Sequence, residues 1–167
     1  MCGSKCGSNV YLLRPSCENH CMTNQENSAI SRELWQAYLE TDFKVFSENP
    51  FTLKVGQYSD ELNSIIKKSK YSSAAFITAY NPYSKQLSNA ENIAKQEQLK
   101  IEIAKRGLTA IEGIGQHPSN QWPGESSLLI LGLNKATATT LARQLEQNAF
   151  VWSDETSIPQ LIQPSTI

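Results

Sequence analysis

Two short segments of the sequence combine side chains that could bind or activate a small molecule. The first runs from Thr78 to Ser84 and reads Thr-Ala-Tyr-Asn-Pro-Tyr-Ser, so that an apolar stretch ends in polar residues. Asn81 offers two hydrogen-bond donors and one acceptor, Ser84 offers a hydroxyl, and Pro82 fixes the backbone between them. These residues suit a polar ligand. They suit equally an Asx-turn, in which the Asn81 side chain bonds nearby backbone and Pro82 ends a strand.

The second segment runs from Gln116 to Ser126 and reads Gln-His-Pro-Ser-Asn-Gln-Trp-Pro-Gly-Glu-Ser. Trp122 could form the floor of a pocket for a planar ligand. Glu125 is the only acidic residue between Gly113 and Glu146, and it could accept a hydrogen bond or act as a general base. The structural alternative is a surface loop that is pinned by a half-buried tryptophan.

The sequence after residue 21 lacks the usual motifs of cofactor and nucleophile chemistry. Gly113-Ile114-Gly115 follows a predicted strand, but Pro118 stands where a dinucleotide-binding motif has its third glycine. His117 is the only histidine there, has no serine-nucleophile motif beside it, and is predicted to be a solvated loop side chain. Cysteine is absent, and no histidine lies near carboxylates at metal-ligand spacing. We therefore predict no metal site and assign no cofactor.

All four cysteines stand in the first 21 residues, as Cys2, Cys6, Cys17 and Cys21, with His20 beside the last. Their spacing fits a zinc knuckle only loosely, and an iron–sulfur cluster or two disulfides can be drawn as well. No secretory signal indicates an oxidising compartment. We expect residues 1–27 to form a flexible, cysteine-rich extension, and a metal or redox sensor is the alternative.

The size and charge of the chain narrow the class of protein. At 167 residues it has the usual size of one domain, which we assign to residues 28–162, with residues 163–167 as a tail. Fifteen Lys and Arg against sixteen Asp and Glu give a net charge of −1, which removes the electrostatic case for binding nucleic acid or an acidic membrane. No apolar stretch approaches the roughly 20 residues of a spanning helix. A cytoplasmic protein is expected.

Apolar periodicity and turn residues predict a single α+β domain of four helices and seven strands in the order αββαβαββαββ. Helix starts are marked by capping residues, namely Ser28 or Ser31, Ser59, Ser88 and Asn134. The nearly continuous apolar run from Ser73 to Tyr80 is the best candidate for a central strand, whereas Pro159 makes the last strand an edge. Hairpins between the helices predict one mostly antiparallel mixed sheet with helices packed on it.

A set of aromatic and polar residues occurs in an order typical of one known family. The set comprises Trp35, Tyr38 and Thr41 in the first helix, Phe76 to Ser84, Asn92, Trp122 to Ser126, Gln147 to Ala149, and Trp152. The tract from about Leu34 to Ile162 thereby resembles a small bacterial family catalogued as domain of unknown function 3293. That family carries no agreed activity. The resemblance implies one folded unit that contains both polar segments, and it implies no reaction.

We predict that the two polar segments meet at one end of the sheet and form a cleft for a small polar or nucleotide-like ligand. The candidate ligand-binding residues are Tyr80, Asn81, Pro82, Ser84, Asn92, Trp122 and Glu125, with Glu125 as candidate base. Asn92 lies one turn into the helix from Ser88, which lets its side chain point back at the loop. The alternative is a non-catalytic module that meets a protein partner through exposed aromatic residues or the sheet edge near Pro159. Whether the chain is an enzyme stays open.

Overall fold

The structure, a computed structural model, describes residues 30–120 and 122–164. Four helices and seven strands follow one another in the predicted order, with one 3-10 turn (Pro82–Ser84) added after the third strand. The helices are α1 (Arg32–Glu40), α2 (Asp60–Lys68), α3 (Asn89–Lys105) and α4 (Lys135–Gln144), and the strands are β1 (Asp42–Val45), β2 (Phe51–Leu53), β3 (Ala74–Thr78), β4 (Ala110–Gln116), β5 (Glu125–Leu131), β6 (Phe150–Ser153) and β7 (Gln160–Ile162). The expectations for residues 1–27 and for the end of the tail lie outside the described residues. Within the described ranges, no helix combines the length and apolar content that crossing a membrane requires.

Each helix begins after a residue whose side chain accepts a backbone hydrogen bond, which is why the sequence marks the helix starts clearly. Ser31 caps α1 and Ser59 caps α2, each at 3.1 Å from the amide nitrogen three residues further on. At α3, Glu91 N donates to Ser88 Oγ at 3.3 Å and Ser88 N donates to Glu91 Oε2 at 3.0 Å, which is the predicted capping box. Asn134 caps α4 at 2.8 Å. The caps predicted at these positions are confirmed.

The seven strands form one sheet in the order β2-β1-β4-β5-β3-β6-β7, and the six pairs that join them are all antiparallel. The prediction of an α+β fold with a mostly antiparallel sheet is confirmed. β3 lies inside the sheet between β5 and β6, with four of its five residues buried, although β5 takes the middle position. β7 is an edge strand, as Pro159 predicts.

The sequence predicts β4 and β5 at residues 108–114 and 127–133, around a loop at 115–126. In the structure, each strand of the β4–β5 hairpin extends two residues further into that loop. Pairing continues through Ile114 opposite Ser126 and Gly115 opposite Glu125. The Gly, Pro and Asn content of this segment predicts a loop, but pairing with the neighbouring strand outweighs that local preference. Glu125 is consequently held in strand β5, where the pleat fixes the direction of its side chain.

Successive side chains of each strand point to opposite faces of the sheet, so the core consists of two apolar layers, one on each face. Helices α3 and α4 cover the first layer, which includes Ile77 and Leu128. Helix α2 covers the second layer, which includes Phe76 and Leu129. Helix α1 lies on this second face as well, but none of its residues is fully buried. Its packing on the sheet is thus looser than that of α2.

The two edges of the sheet approach each other through the segments that follow β2 and precede β7. Gly56 N donates to Pro159 O at 2.8 Å, and Ser59 N donates to Ser157 O at 3.0 Å. These bonds hold the sheet in a curled form. They also occupy backbone oxygens of the segment before β7, which an added strand would otherwise use.

Candidate functional site

A cavity of about 500 Å³ lies between α1 and the end of the sheet at which β3 finishes. Its floor is apolar and includes Phe43, Phe76 and Val151 from three different strands. Its rim is polar and is formed by the segment after β3, the start of α3, the start of β5 and the segment before β6. Leu34 and Ala37 of α1 close one side. A cavity of this size falls in the range of small-molecule sites in proteins.

Six of the seven candidate residues line this cavity: Tyr80, Asn81, Ser84, Asn92, Trp122 and Glu125. The seventh, Pro82, is buried at the start of the 3-10 turn and does not line the cavity. The fixed φ angle of Pro82 therefore acts on the backbone of the turn. Asn81 and Glu125, 44 positions apart in the chain, meet at one rim. That these residues bind a ligand stays a prediction.

Asn81 is the centre of a hydrogen-bond network at the rim. Its Nδ2 donates to Glu125 Oε1 at 2.7 Å, and its Oδ1 accepts from Asn92 Nδ2 at 2.9 Å and from Leu87 N at 3.0 Å. Asn92 Oδ1 accepts in turn from Asn81 N at 2.9 Å, so the two asparagines form a reciprocal pair. Asn92 points back at the loop, as its place in α3 predicts. Asn81 thus holds Glu125 in position. Its bond with the Leu87 backbone agrees with the Asx-turn alternative, whereas its bond with Glu125 is not part of such a turn.

The segment that carries Asn81 has an unusual backbone. Asn81, Tyr83 and Ser84 have positive φ angles of 45°, 49° and 58°. A tyrosine in this left-handed region is uncommon, and strained residues concentrate at functional sites. Tyr83 N donates to Glu146 O at 2.6 Å, a bond that ties the segment to the end of α4. Contacts elsewhere in the fold therefore keep a conformation that local preference disfavours.

Glu125 supplies the carboxyl group of the cavity. Its Oε1 accepts the hydrogen bond from Asn81, whereas its Oε2 accepts none from the residues that the structure describes and is open to the cavity. Burial raises the pKa of the Glu125 carboxyl above the ordinary 4.5, and the hydrogen bond from Asn81 partly offsets this increase. A raised pKa brings a carboxyl closer to the range in which a general base works.

The raised pKa of Glu125 predicts a pH-dependent contribution to stability. Because the folded chain binds this proton more tightly than the unfolded chain, the contribution is full below pH 4.5 and is lost as pH rises through the folded pKa. Glu125→Gln keeps an oxygen for Asn81 but removes the titration. We expect the free energy of unfolding of the wild type, minus that of Glu125→Gln, to fall from acidic to neutral pH. Urea denaturation at a series of pH values measures this difference, and a constant or rising difference contradicts the prediction.

A polar cluster of Tyr38, Ser84 and Asn148 lies near Glu125. Asn148 Nδ2 donates to Ser84 Oγ at 2.8 Å, and the Tyr38 hydroxyl lies 3.4 Å from the same oxygen. Burial raises the pKa of the Tyr38 phenol, the hydrogen bond with Ser84 lowers it, and the charge of Glu125 raises it again. Ile30, Leu34 and Tyr38 recur every four residues, so the sequence predicts Tyr38 as part of a buried apolar stripe on the first helix. Tyr38 also belongs to the family resemblance, but it is not among the candidate residues. A hydroxyl within an otherwise apolar stripe was the available signal.

Trp122 packs against His117 at the rim, with ring centroids 4.8 Å apart. The His117 side chain is only 12% exposed, its Nε2 lies 3.2 Å from Glu40 Oε2, and its Nδ1 lies 2.7 Å from Ser119 Oγ. The prediction of a solvated His117 is therefore wrong, because contacts from α1 and Trp122 cover a residue whose loop composition suggested exposure. Trp122 is itself 44% exposed, so part of its ring is accessible to solvent.

Two glutamine side chains hold the backbone at the end of β3. Gln147 Nε2 donates to Tyr80 O at 3.0 Å. The pairing of β6 with β3 brings Gln147 to this end of the sheet. Gln96 is buried, and its Oε1 accepts from Ala79 N at 3.0 Å. Gln96 is not among the candidate residues predicted from the sequence, although its position one turn after Asn92 on the same helix was a usable signal.

The lining offers hydrogen bonds and stacking surfaces. It contains amides, hydroxyls, aromatic rings and one carboxylate, and no lysine or arginine belongs to the lining that the structure describes. Residues 30–120 and 122–164 contain no group of three or more His, Cys, Asp or Glu side chains that could hold a metal ion. The chemistry that this lining supports directly is recognition of polar groups, with Glu125 as a proton acceptor.

The fold defines a small α+β domain with a partly open, polar-rimmed cavity between α1 and the sheet. Residues 77–150 match the model of a family described as "Protein of unknown function (DUF3293)". The chain is similar to that family over a segment that contains Asn81, Asn92, Trp122 and Glu125. The first helix and Trp152, which also carry the resemblance in the sequence, lie outside the matched range. No curated protein and no solved structure matches the chain.

Proposed function

We propose that this chain is a cytoplasmic protein that binds a small polar ligand in the cavity between α1 and the sheet. The observation that carries the proposal is the convergence of two polar segments, around Asn81 and Glu125, on the rim of one cavity. Glu125 Oε2, the Tyr38 hydroxyl and the Trp122 ring offer an acceptor, a hydroxyl and a stacking surface. The strained backbone after β3 supports the proposal, since such strain is typically kept where a site requires it.

The charge of the cavity lining limits how a nucleotide-like ligand could bind. A phosphate inside the cavity would face the Glu125 carboxylate, with no lysine or arginine of the described lining to balance it. The capping box uses the amides of Ser88 and Glu91 and adds a further carboxylate at the start of α3. A nucleotide-like ligand would therefore place its base in the cavity and its phosphate outside. Glu125 is the residue that would accept a proton if the bound ligand reacts.

The protein-interaction alternative has less support at the sheet edge. The carbonyl oxygens of Ser157 and Pro159 already accept hydrogen bonds from the segment after β2. Addition of a partner strand at this point would have to break those bonds. The cysteine sensor alternative concerns residues outside those that the structure describes.

Gly115 is a position at which an added side chain would occupy part of the cavity. It lies in the lining, and a Cβ atom added there would lie 3.8 Å from Thr41 Cγ2 and 3.9 Å from Phe43 Cδ1, which is ordinary contact. We expect Gly115→Val to fold and to occupy part of the cavity. Ala110→Val adds methyl groups at an exposed position of the same strand and is the matched control.

The proposed function is tested by thermal-shift screening of nucleobases, nucleosides and small polar metabolites, followed by calorimetric titration of the hits. We expect at least one compound to bind the wild type and Ala110→Val, and to bind Gly115→Val at least about tenfold more weakly, because valine occupies the ligand's space. A panel without hits contradicts the proposal. Hits that bind Gly115→Val with unchanged affinity contradict the cavity as their site.

A further inference from the structure

The negative charge in the described lining of the cavity is not balanced by a positive one. Glu125 is the single carboxylate in the lining that the structure describes, and no lysine or arginine accompanies it. His117 also lines the cavity, but its two ring nitrogens already contact Glu40 and Ser119. The ion pairs found among the described residues join other partners, and none of them includes Glu125.

An unpaired carboxylate in such a place is energetically unfavourable. Loss of hydration disfavours its charged form, and the hydrogen bond from Asn81 reaches only one of its two oxygens. Asn81 is neutral and uses its amide on Glu125, Asn92 and Leu87, so it cannot supply the missing positive charge. The countercharge is either a proton or a cation that enters the cavity.

The rest of the lining suits a cation with an apolar body. The rings of Tyr38, Tyr80 and Trp122 stand around the rim, and the faces of such rings attract cations. Phe43 and Phe76 pack edge to face in the floor, with ring centroids 5.4 Å apart, and offer apolar contact. A carboxylate, several aromatic rings and an apolar floor are together suited to an organic ammonium or amidinium group.

We infer that the ligand carries a positively charged nitrogen, as an amine or amidine on an apolar or aromatic body, and that this nitrogen donates a hydrogen bond to Glu125 Oε2. The inference rests on the proposed function and narrows its class of ligand. A neutral group in the same place leaves the Glu125 charge unpaired, and an anionic group is repelled by it. The charge of the ligand's head group therefore decides its affinity.

Benzamidine, benzamide and benzoate test this inference, because they share a ring and differ in the charge of the head group. Each is titrated into the full chain labelled with nitrogen-15, and the amide resonances of the cavity residues are followed. We expect benzamidine to bind at least about tenfold more tightly than benzamide, since a hydrogen bond to a charged group is the stronger one. Benzoate is expected to leave these resonances unchanged.

Two variants identify the carboxylate responsible. Glu125→Gln keeps the shape of the side chain and removes its charge, so the affinity for benzamidine is expected to fall to that for benzamide. Glu155→Gln removes the same unit of charge from an exposed position outside the lining and is expected to leave both affinities unchanged.

The inference is overturned if benzamide binds as tightly as benzamidine, if Glu125→Gln leaves the affinity for benzamidine unchanged, or if benzamidine does not perturb the cavity resonances. Each of these results leaves the cavity free to bind a neutral ligand, such as a nucleoside from the first panel. The proposed function falls separately, when that panel also yields no compound sensitive to Gly115→Val.

Discussion

Asn81→Ala is expected to lower the free energy of unfolding by about 3 kcal/mol. The substitution leaves Glu125 Oε1, Leu87 N and Asn92 Nδ2 without the hydrogen bonds that Asn81 provides, and an unsatisfied buried group costs roughly 1–3 kcal/mol. Alanine must also adopt a backbone with φ of 45°, which costs it about 1 kcal/mol. Urea denaturation measures the loss. A change below about 1 kcal/mol would show that the network contributes little to stability.

Asn81→Gly separates the two causes of that loss. Glycine adopts the left-handed backbone without the steric penalty, so it should recover about 1 kcal/mol relative to alanine. It still lacks the amide, so most of the loss should remain. Because the hydrogen bond from Asn81 lowers the pKa of Glu125, both variants should raise that pKa further. Full stability in Asn81→Gly would assign the whole effect to the backbone.

Gly113→Ala is expected to destabilise the fold by about 1–3 kcal/mol, the usual cost of overpacking a core. A Cβ atom at Gly113 would come closer than van der Waals contact to the backbone oxygen of Lys44 on the neighbouring strand, and within 2.9 Å of the Phe76 ring. The strand backbone cannot give way as a flexible side chain can. Thermal and urea unfolding measure the loss.

Gly115→Ala is the matched control for that substitution, two residues further along the same strand and on the same face. Its Cβ atom would make only ordinary contacts, so stability should stay within about 0.5 kcal/mol of the wild type, as for substitutions that disturb no packing. Equal losses at the two positions would mean that the steric difference between them does not decide stability.

The order of elements was predictable because its signals are local. Each helix has a capping side chain within three residues of its first turn, and each strand has an apolar run bounded by turn residues. The capping box of Ser88 with Glu91 fixes the start of the helix that carries Asn92. The position of Asn92 then follows from helical geometry, which is why its return toward the loop could be anticipated.

The features that escaped prediction depend on contacts between distant parts of the chain. Nothing near Glu125 in the sequence indicates that strand pairing with Gly115 continues to that residue. The sequence predicts an exposed His117 because the residues that cover it are not its neighbours in the sequence. Glu40 contacts it from α1, and Trp122 contacts it from the other side of the loop. Tyr38 reads as a core aromatic until the fold brings Ser84 to its hydroxyl. Which distant residues meet is decided by the register and order of the strands, and local propensity does not specify either.

The cavity wall is assembled from stretches that are far apart in the chain. Ser84 is 46 positions from Tyr38 and Asn81 is 44 positions from Glu125, so no short fragment of the protein contains the cavity. A compound that occupies the cavity binds the native state alone and stabilises the folded domain by mass action, by an amount that rises with the logarithm of its free concentration once that exceeds the Kd. Since proteases remove mainly unfolded molecules, the proposed function predicts that the steady-state amount of this protein in a cell rises with the supply of the proposed ligand.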